Sequence, residues 1–474
     1  MSPLGVTLSV PTAFACVLEF FPFIFLLRRK AFALRSQYPP GPKPFPLIGN
    51  LLQIPSINPE EIFRDWFHIY GDVMFIRIFS QPMVVLSTFE AAQELLEKRS
   101  AIYSDRPRFV LFSELYAIFF IASGNCLMKF TAWDGRMPRL ICDKRETLTL
   151  IHGLIQTPEN FIQHIRRFAA ATILKVTYGA DVKSVDDVYV QLAERAGSLT
   201  VQSGTPAATL VDFFPILRHI PTWAPLSGFK RNAALVKEAV DKMMNVPYEM
   251  VKKEMGVAGT MFAAAEDTTI CVLSSFVLAM VLHPEVFKEA QEEMDRVIGI
   301  DRLPTSEDRD SLPYLESVMK ETLRWNPPVP LGLPHRLMED DIYSTSDGNC
   351  YHLPRGSTVV ANIYAILKSC PEPEVFNPSR HTGPVYHVNP IEVVFGFGRR
   401  KCPGRHFADA GLWLSMARMV ATVHIVKSKD DTGREIIPEV AFTSGHPKQF
   451  TCSMKPRSEK IGGMIEQSLV EMDF

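Results

Sequence analysis

Ten residues near the carboxyl end constrain this chain more than any other stretch: Phe395-Gly396-Phe397-Gly398-Arg399-Arg400-Lys401-Cys402-Pro403-Gly404. Glycines at 396 and 398 permit a tight loop, because they accept backbone conformations that other residues avoid. An apolar helix, predicted over 404–422, begins just beyond. Cys402 therefore stands near a helix amino terminus and beside three cations, and both features favour thiolate over thiol. A thiolate so placed can be a nucleophile or a metal ligand. The blander reading, a structural cysteine, suits a random cysteine better but not one with these flanks. The 8 cysteines include no C-x-x-C pair, so neither a zinc finger nor a disulfide scaffold is expected.

The 474-residue chain is 47% hydrophobic and 22% charged, which excludes a disordered, collagen-like or polytopic membrane protein. Its 50 Lys+Arg against 52 Asp+Glu leave a formal charge of -2, so no global basic field favours nucleic acid as a partner. Any electrostatic docking is local.

From Leu4 to Leu27 the chain is almost entirely apolar, interrupted by Pro11, Glu19 and Pro22, and then meets Arg28-Arg29-Lys30. As a helix this stretch spans about 30 Å, the thickness of a bilayer's hydrocarbon core. The preferred reading is a membrane anchor over residues 1–30 with its basic flank in the cytosol. A cleaved signal peptide, with Ala13-Phe14-Ala15 as its processing site, ranks lower because no positive charge precedes the run. An ordinary buried helix is the third reading. Residues 31–50, with Pro39-Pro40-Gly41-Pro42-Lys43-Pro44, are expected to form a stiff hinge that sets the body at a fixed distance from the membrane. On composition alone they could equally be recognised by a proline-binding module.

Residues 51–458 form the expected catalytic body, followed by a polar tail over 459–474. Ile62, Phe63, Trp66, Phe67 and Tyr70 lie at helical spacing and stop at Gly71. Strand-like runs follow at 73–78 and 83–86, and Ser87-Thr88-Phe89-Glu90 has the form of a capping box opening a helix to about Lys98. A loop is expected over 104–125. Helices are predicted over 158–178, 187–198, 229–253, 257–282, 284–298 and 311–325, with short extended pieces near 333–344 and 350–362.

Two further constellations carry chemistry only in context. Glu321-Thr322-Leu323-Arg324 places a carboxylate and a guanidinium on one helix face, where a solvated salt bridge is the default reading. Glu266-Asp267-Thr268-Thr269 lies inside the apolar helix 257–282, where such a cluster is costly unless it faces a polar site or solvent. The alternative there is a helix kink, with the threonine hydroxyls bonded to backbone carbonyls.

The decapeptide fits, at every fixed position, the haem-binding signature F-x-x-G-x-R-x-C-x-G of the cytochrome P-450 family. Three more signatures follow that family's order, so the resemblance runs from the anchor to about Arg457. It implies a mainly α fold with small β-sheets, the family's triangular helical prism, preceded by one N-terminal transmembrane helix. It makes Cys402 the axial ligand of the iron of haem b, with Phe395 and Gly396 in the same cofactor-binding loop. Arg400, His335 and Arg106 become partners of the haem propionates; for the last two an ordinary surface role is the alternative. Glu321, Arg324 and Arg380, the last in Phe376-Asn377-Pro378-Ser379-Arg380, form a structural triad behind the haem. Ser379 and His381 stand where the family commonly has Glu and Phe. Thr268 and Asp267 become the catalytic pair that delivers protons at the distal face.

The chain departs from the family at two places. Trp133, a haem-edge residue by resemblance, is followed at the family's spacing by Met137 rather than arginine, with Arg136 one position early. The helix carrying Asp267 also begins only a few residues after Lys252-Lys253-Glu254, where the family inserts a longer stretch. A shortened member with weakened haem retention is therefore expected.

By resemblance the function is a haem-thiolate monooxygenase that places one atom of O2 in a lipophilic organic substrate. Electrons from NADPH come through a separate flavoprotein reductase, docked on Arg399, Lys401 and Arg405. The setting implied is the endoplasmic reticulum membrane of a fungus, as a monomer, in secondary metabolism or xenobiotic oxidation. A reductase-independent haem-thiolate isomerase and a non-catalytic haem-binding or membrane-associated relative remain as alternatives. Asp267 and Thr268 count against the first; the departures near Met137 and Gly256 count for the second.

Overall fold

Amphipathic segments stopped by proline and glycine give this chain its helices. The computed structural model describes residues 38–110, 144–178, 182, 184, 186–202, 210–224, 227–250, 256–345, 348–383, 388–443 and 445–472. The expected anchor, Trp133, Arg136 and Met137, and most of the 104–125 loop lie outside the described residues.

Residues 38–50, expected as a spacer, are laid along the body. The Phe75 N–H donates to the Pro40 carbonyl at 3.0 Å, and Tyr38 stacks on Phe75 with ring centroids 4.6 Å apart. Asn50 Nδ2 donates to the Pro42 carbonyl at 3.0 Å. Proline cannot donate, but its carbonyl still accepts, so a proline-rich segment can edge a strand.

Helix α1 (Pro59–Tyr70) opens on proline and ends at Gly71, as predicted. Strands β1 (Val73–Ile78) and β2 (Gln81–Leu86) pair antiparallel with Val73 opposite Leu86. Thr88 caps the next turn, Phe89–Ala92, by accepting from the Ala91 N–H, and the turn runs on as a π-helix, Gln93–Lys98.

The helical body consists of α2 (Lys144–Gln156), α3 (Phe161–Tyr178), α4 (Val188–Gln202), α5 (Gly228–Met250), α6 (Gly256–Leu282), α7 (Pro284–Val297), α8 (Pro313–Trp325), α9 (Arg405–Thr422) and α10 (Glu459–Met472). Seven of these, α3 to α9, match the predicted segments to within a few residues. Helix α2 is an addition. Helix α10 replaces the polar tail: Ile461 and Ile465, one turn apart, are buried in the largest core cluster, which pins the segment against α2.

Strands β3 (His335–Arg336), β4 (Asp341–Ser344), β5 (Cys350–Leu353) and β6 (Thr358–Ala361) complete the early β region. One sheet has the order β1-β2-β6-β3, with β2 and β6 parallel; β4 and β5 form a separate hairpin. Late in the chain β7 (Val423–Lys427) pairs with β10 (Cys452–Pro456), and β8 (Phe442–Thr443) with β9 (His446–Pro447).

Helix α6 runs through the main core. Phe276, Val277, Leu278, Ala279 and Met280 are fully enclosed by side chains that include Phe161, Met319 and Trp413. Each large apolar side chain so buried stabilises the fold by about 1.5–3 kcal/mol. Among the described residues only Ala264–Leu282 is long and apolar enough to cross a bilayer, but 72% of it is buried inside the protein, so it acts as the core helix.

Candidate active site

The loop before α9 is held by contacts that glycine alone permits. The Cys402 N–H donates to the Phe395 carbonyl at 2.8 Å, closing the loop, and Gly396 has φ +75°. Gly398 has φ +59°, and a Cβ placed there would lie 2.0 Å from the Leu96 carbonyl oxygen. The loop therefore presses directly on the π-helix 93–98, and Phe397 is buried against the first sheet's cluster.

The structure adds burial to the surroundings of Cys402. Burial pushes its thiol up, and the effects that oppose burial are the Gly404 N–H and Arg405. Of the three preceding cations, Arg400 is engaged elsewhere: its Nε donates to the Ser104 carbonyl at 2.7 Å. A bound metal would deprotonate a coordinating thiol outright.

Arg400, Arg106 and His335 converge. Arg106 Nη1 donates to the Leu333 and Pro334 carbonyls at 2.7 and 2.6 Å. The His335 ring is buried and donates from Nδ1 to the Tyr103 carbonyl at 2.8 Å. Burial and then nearby Arg400 lower the Arg106 guanidinium to about 10. Burial, followed by Arg106, depresses His335 to about 4. Among the described residues no carboxylate pairs with any of the three, so the cluster lacks an anion. A buried dianionic group such as the haem propionates suits it, since fixed cations are costly to bury without one.

On α6 Thr268 Oγ1 donates to the Ala264 carbonyl at 3.0 Å and Thr269 Oγ1 to that of Ala265 at 2.7 Å, the back-bonding that was the alternative reading. A hydroxyl that donates in this way still has lone pairs to accept a proton donor. Asp267 Oδ1 pairs with His446 Nε2 at 3.1 Å, a partner that the local sequence does not reveal. Glu266 is buried beside them, and burial, with the Asp267 charge second, pushes its carboxyl up to about 8.

The Glu321 carboxylate is fully buried and receives five hydrogen bonds. They come from Arg324 Nε (2.7 Å) and Nη2 (2.9 Å), Arg380 Nε (3.1 Å), the Asn377 N–H (2.8 Å) and His381 Nε2 (2.9 Å). Burial alone would raise its pKa, but His381 and Arg324 lead the opposing effects and bring it to about 2. His381 and the Asn377 N–H are members that sequence reasoning missed. The change from the family's usual Phe at 381 was the available signal.

Residues 39–123 and 252–450 match the family described as Cytochrome P-450. The chain belongs to the cytochrome P-450 family. It is 38% identical to cytochrome P-450 monooxygenase 176 of Postia placenta, with 92% of this chain and 93% of that relative covered. Monooxygenase 136 of the same fungus is also 38% identical, over 90% of each chain. Cytochrome P-450 monooxygenase claT of Ampulloclitocybe clavipes is 37% identical, over 90% of this chain and 93% of its own. The first alignment runs over 493 positions, more than the chain's 474 residues, although only 92% of the chain takes part. Stretches of that relative therefore have no counterpart here. Membership of this family makes the chain an enzyme of the cytochrome P-450 kind and implies haem as its cofactor, for which Cys402 and the three anion-seeking side chains are the fitting residues.

Proposed function

We propose that this cytochrome P-450 is an NADPH-dependent haem-thiolate monooxygenase acting on a lipophilic small molecule. The observation that carries the reading is the cluster of Arg106, His335 and Arg400, lacking an anion and joined through Ser104 to the loop that presents Cys402. When bound, haem supplies the iron centre at which O2 is split, one atom passing to substrate and the other leaving as water. Cys402 would hold the metal, and Arg106 and Arg400 would hold its carboxylates, joined by His335 once such an anion favours protonation of its Nε2. Thr268 accepts and orients a proton donor, and Asp267 relays protons from the solvent side. Glu321, Arg324 and Arg380 act as a structural triad that ties the segment 376–381 to α8.

Electrons come from a flavoprotein reductase that docks on Arg399, Lys401 and Arg405; Arg399 is exposed, as docking requires. Residues 1–30 anchor the monomer in the endoplasmic reticulum membrane, with the body in the cytosol. Secondary metabolism or xenobiotic oxidation is the proposed setting. The test is the reduced carbon monoxide difference spectrum of the purified chain, with NADPH consumption on adding reductase. Loss of the thiolate band in Cys402→Ser supports the reading; an unaltered spectrum in that variant overturns it.

The unmatched stretches of the relatives favour a second reading, a shortened member that retains haem weakly. A substoichiometric haem content separates it from the first, and a carbonyl signal without NADPH turnover separates a reductase-independent isomerase.

A further inference from the structure

The β8–β9 hairpin and α6 meet along one face. Asp267 and Cys271 stand four residues apart, hence one turn apart on the same side of α6, and Gly445 and His446 are neighbours at the hairpin tip. The two pairs are matched: the buried Cys271 thiol donates to the Gly445 carbonyl at 2.6 Å, and His446 Nε2 lies 3.1 Å from Asp267 Oδ1. Asn326 Nδ2 also donates to the Gly445 carbonyl, while bonding Ser275 Oγ at 2.7 Å. Gly445 has φ +84°, and a Cβ there would lie 2.6 Å from the Pro328 carbonyl oxygen. The tip is thus clamped from α6 and from the end of α8, and the clamp leaves the His446 ring aimed at a single carboxylate.

We propose that His446 is the positioning residue of Asp267, fixing its carboxylate and supplying the protons that Asp267 passes on. This rests on the monooxygenase reading of the site. His446 fits the task because it is partly buried yet retains a solvent-accessible side, and Asp267 is more open than the ring. In each transfer the imidazolium Nε2–H bond breaks and an Asp267 Oδ1–H bond forms. The imidazole then takes a replacement proton from solvent, and Asp267 releases its own toward the Thr268 hydroxyl.

The charged groups facing the ring come from three helices. Asp267 and Glu266 lie on α6, Arg166 reaches in from α3, and Glu194 on α4 is the ion-pair partner of Arg166. Burial lowers the ring's proton affinity, but the Asp267 hydrogen bond and charge more than restore it, against the opposing charge of Arg166. The ring's pKa is therefore raised above the ordinary histidine value.

The experiment uses the full haem-loaded chain in its reduced carbon monoxide form, labelled with 15N-histidine. The His446 signal is identified by its loss in His446→Gln and titrated in wild type and in Asp267→Asn. We expect the His446 midpoint to fall by about one pH unit in Asp267→Asn. A second arm follows NADPH oxidation and peroxide release with added flavoprotein reductase and no substrate. In His446→Gln the pH profile should lose the limb set by the His446 midpoint, and the solvent deuterium isotope effect should grow. An unmoved midpoint in Asp267→Asn, or an unchanged pH profile and isotope effect in His446→Gln, overturns the proposal. Failure of the monooxygenase reading shows itself differently, as absence of the thiolate carbonyl band in the wild type.

Discussion

His381 Nε2 and Arg324 Nε converge on the same oxygen of Glu321, at 2.9 and 2.7 Å. The residue that departs from the family's usual aromatic thus joins the triad as a working donor. Replacing it tests what it contributes. His381→Phe should cost about 1.5–3 kcal/mol, the range for a hydrogen bond to a charged group. Glu321→Gln should cost about 3–5 kcal/mol, because it leaves two buried arginines without their anion. Equilibrium unfolding in urea measures both, and equal losses in the two variants would contradict this ordering.

Glu321 also sets an acid limit on the fold. Its carboxyl is held near about 2 in the folded chain against 4.5 for an ordinary glutamate. The stability it contributes is therefore complete above pH 4.5 and is lost as the pH falls toward 2. Acid unfolding of wild type and Glu321→Gln should converge across that window.

His335 acts in a second window. Its folded pKa of about 4 lies below the ordinary 6.5, so the unfolded chain binds the proton more readily. Stability of the haem-free protein should be full above pH 6.5 and decline as the pH falls through 4. His335→Gln should flatten that slope. Loaded with haem, the same variant, like Arg106→Gln, should lose its cofactor to apomyoglobin roughly tenfold faster, as removal of a charge-assisted hydrogen bond implies. An unchanged transfer rate in both variants would remove these residues from the cofactor site.

Gly398→Ala tests the loop itself. A methyl 2.0 Å from the Leu96 carbonyl oxygen cannot be accommodated without moving either the loop or the π-helix. The left-handed backbone alone costs a non-glycine residue about 1–3 kcal/mol. The variant should be destabilised by at least that much and bind haem poorly. Wild-type stability and haem content would show that the loop does not press on residue 96.

The haem content of the wild-type chain is a further check. If the relatives' unmatched stretches include part of the distal wall, purified protein should carry less than one haem per chain by pyridine haemochrome assay. A full complement would remove the shortened-member reading.

Much of the architecture was legible in the sequence because its signals are local. Apolar residues recurring at helical spacing between prolines located α3 to α9, and Gly71 marked where α1 stops. Helix α2 escaped notice although Leu148, Ile151 and Leu154 lie on one face. Its Thr, Ile and Gly residues weaken helix preference, which packing against α3 then overrides. Composition made residues 459–474 look like a polar tail, because few apolar residues, Ile461, Ile465 and Leu469, carry the docking of α10. At the site, the Cys402 loop and the Glu321–Arg324 pair lie within single motifs and could be seen. The grouping of Arg106, His335 and Arg400 came from the family resemblance alone, since Arg106 lies more than 200 residues from the other two, and the pairing of Asp267 with His446 joins the core helix to a late hairpin. No periodicity connects such positions; only the folded chain does. The burial of Cys402, which pushes its thiol up, is invisible for a related reason, since sequence shows neighbours along the chain but not enclosure.

Ile461 and Ile465 carry a consequence for how the protein is made. They fill the same apolar cluster as Phe161, Phe276 and Trp413, residues synthesised well before them. That cluster stays open at one side until the segment beyond residue 465 has cleared the ribosome, so the nascent body must wait, partly unsealed, for this helix to arrive.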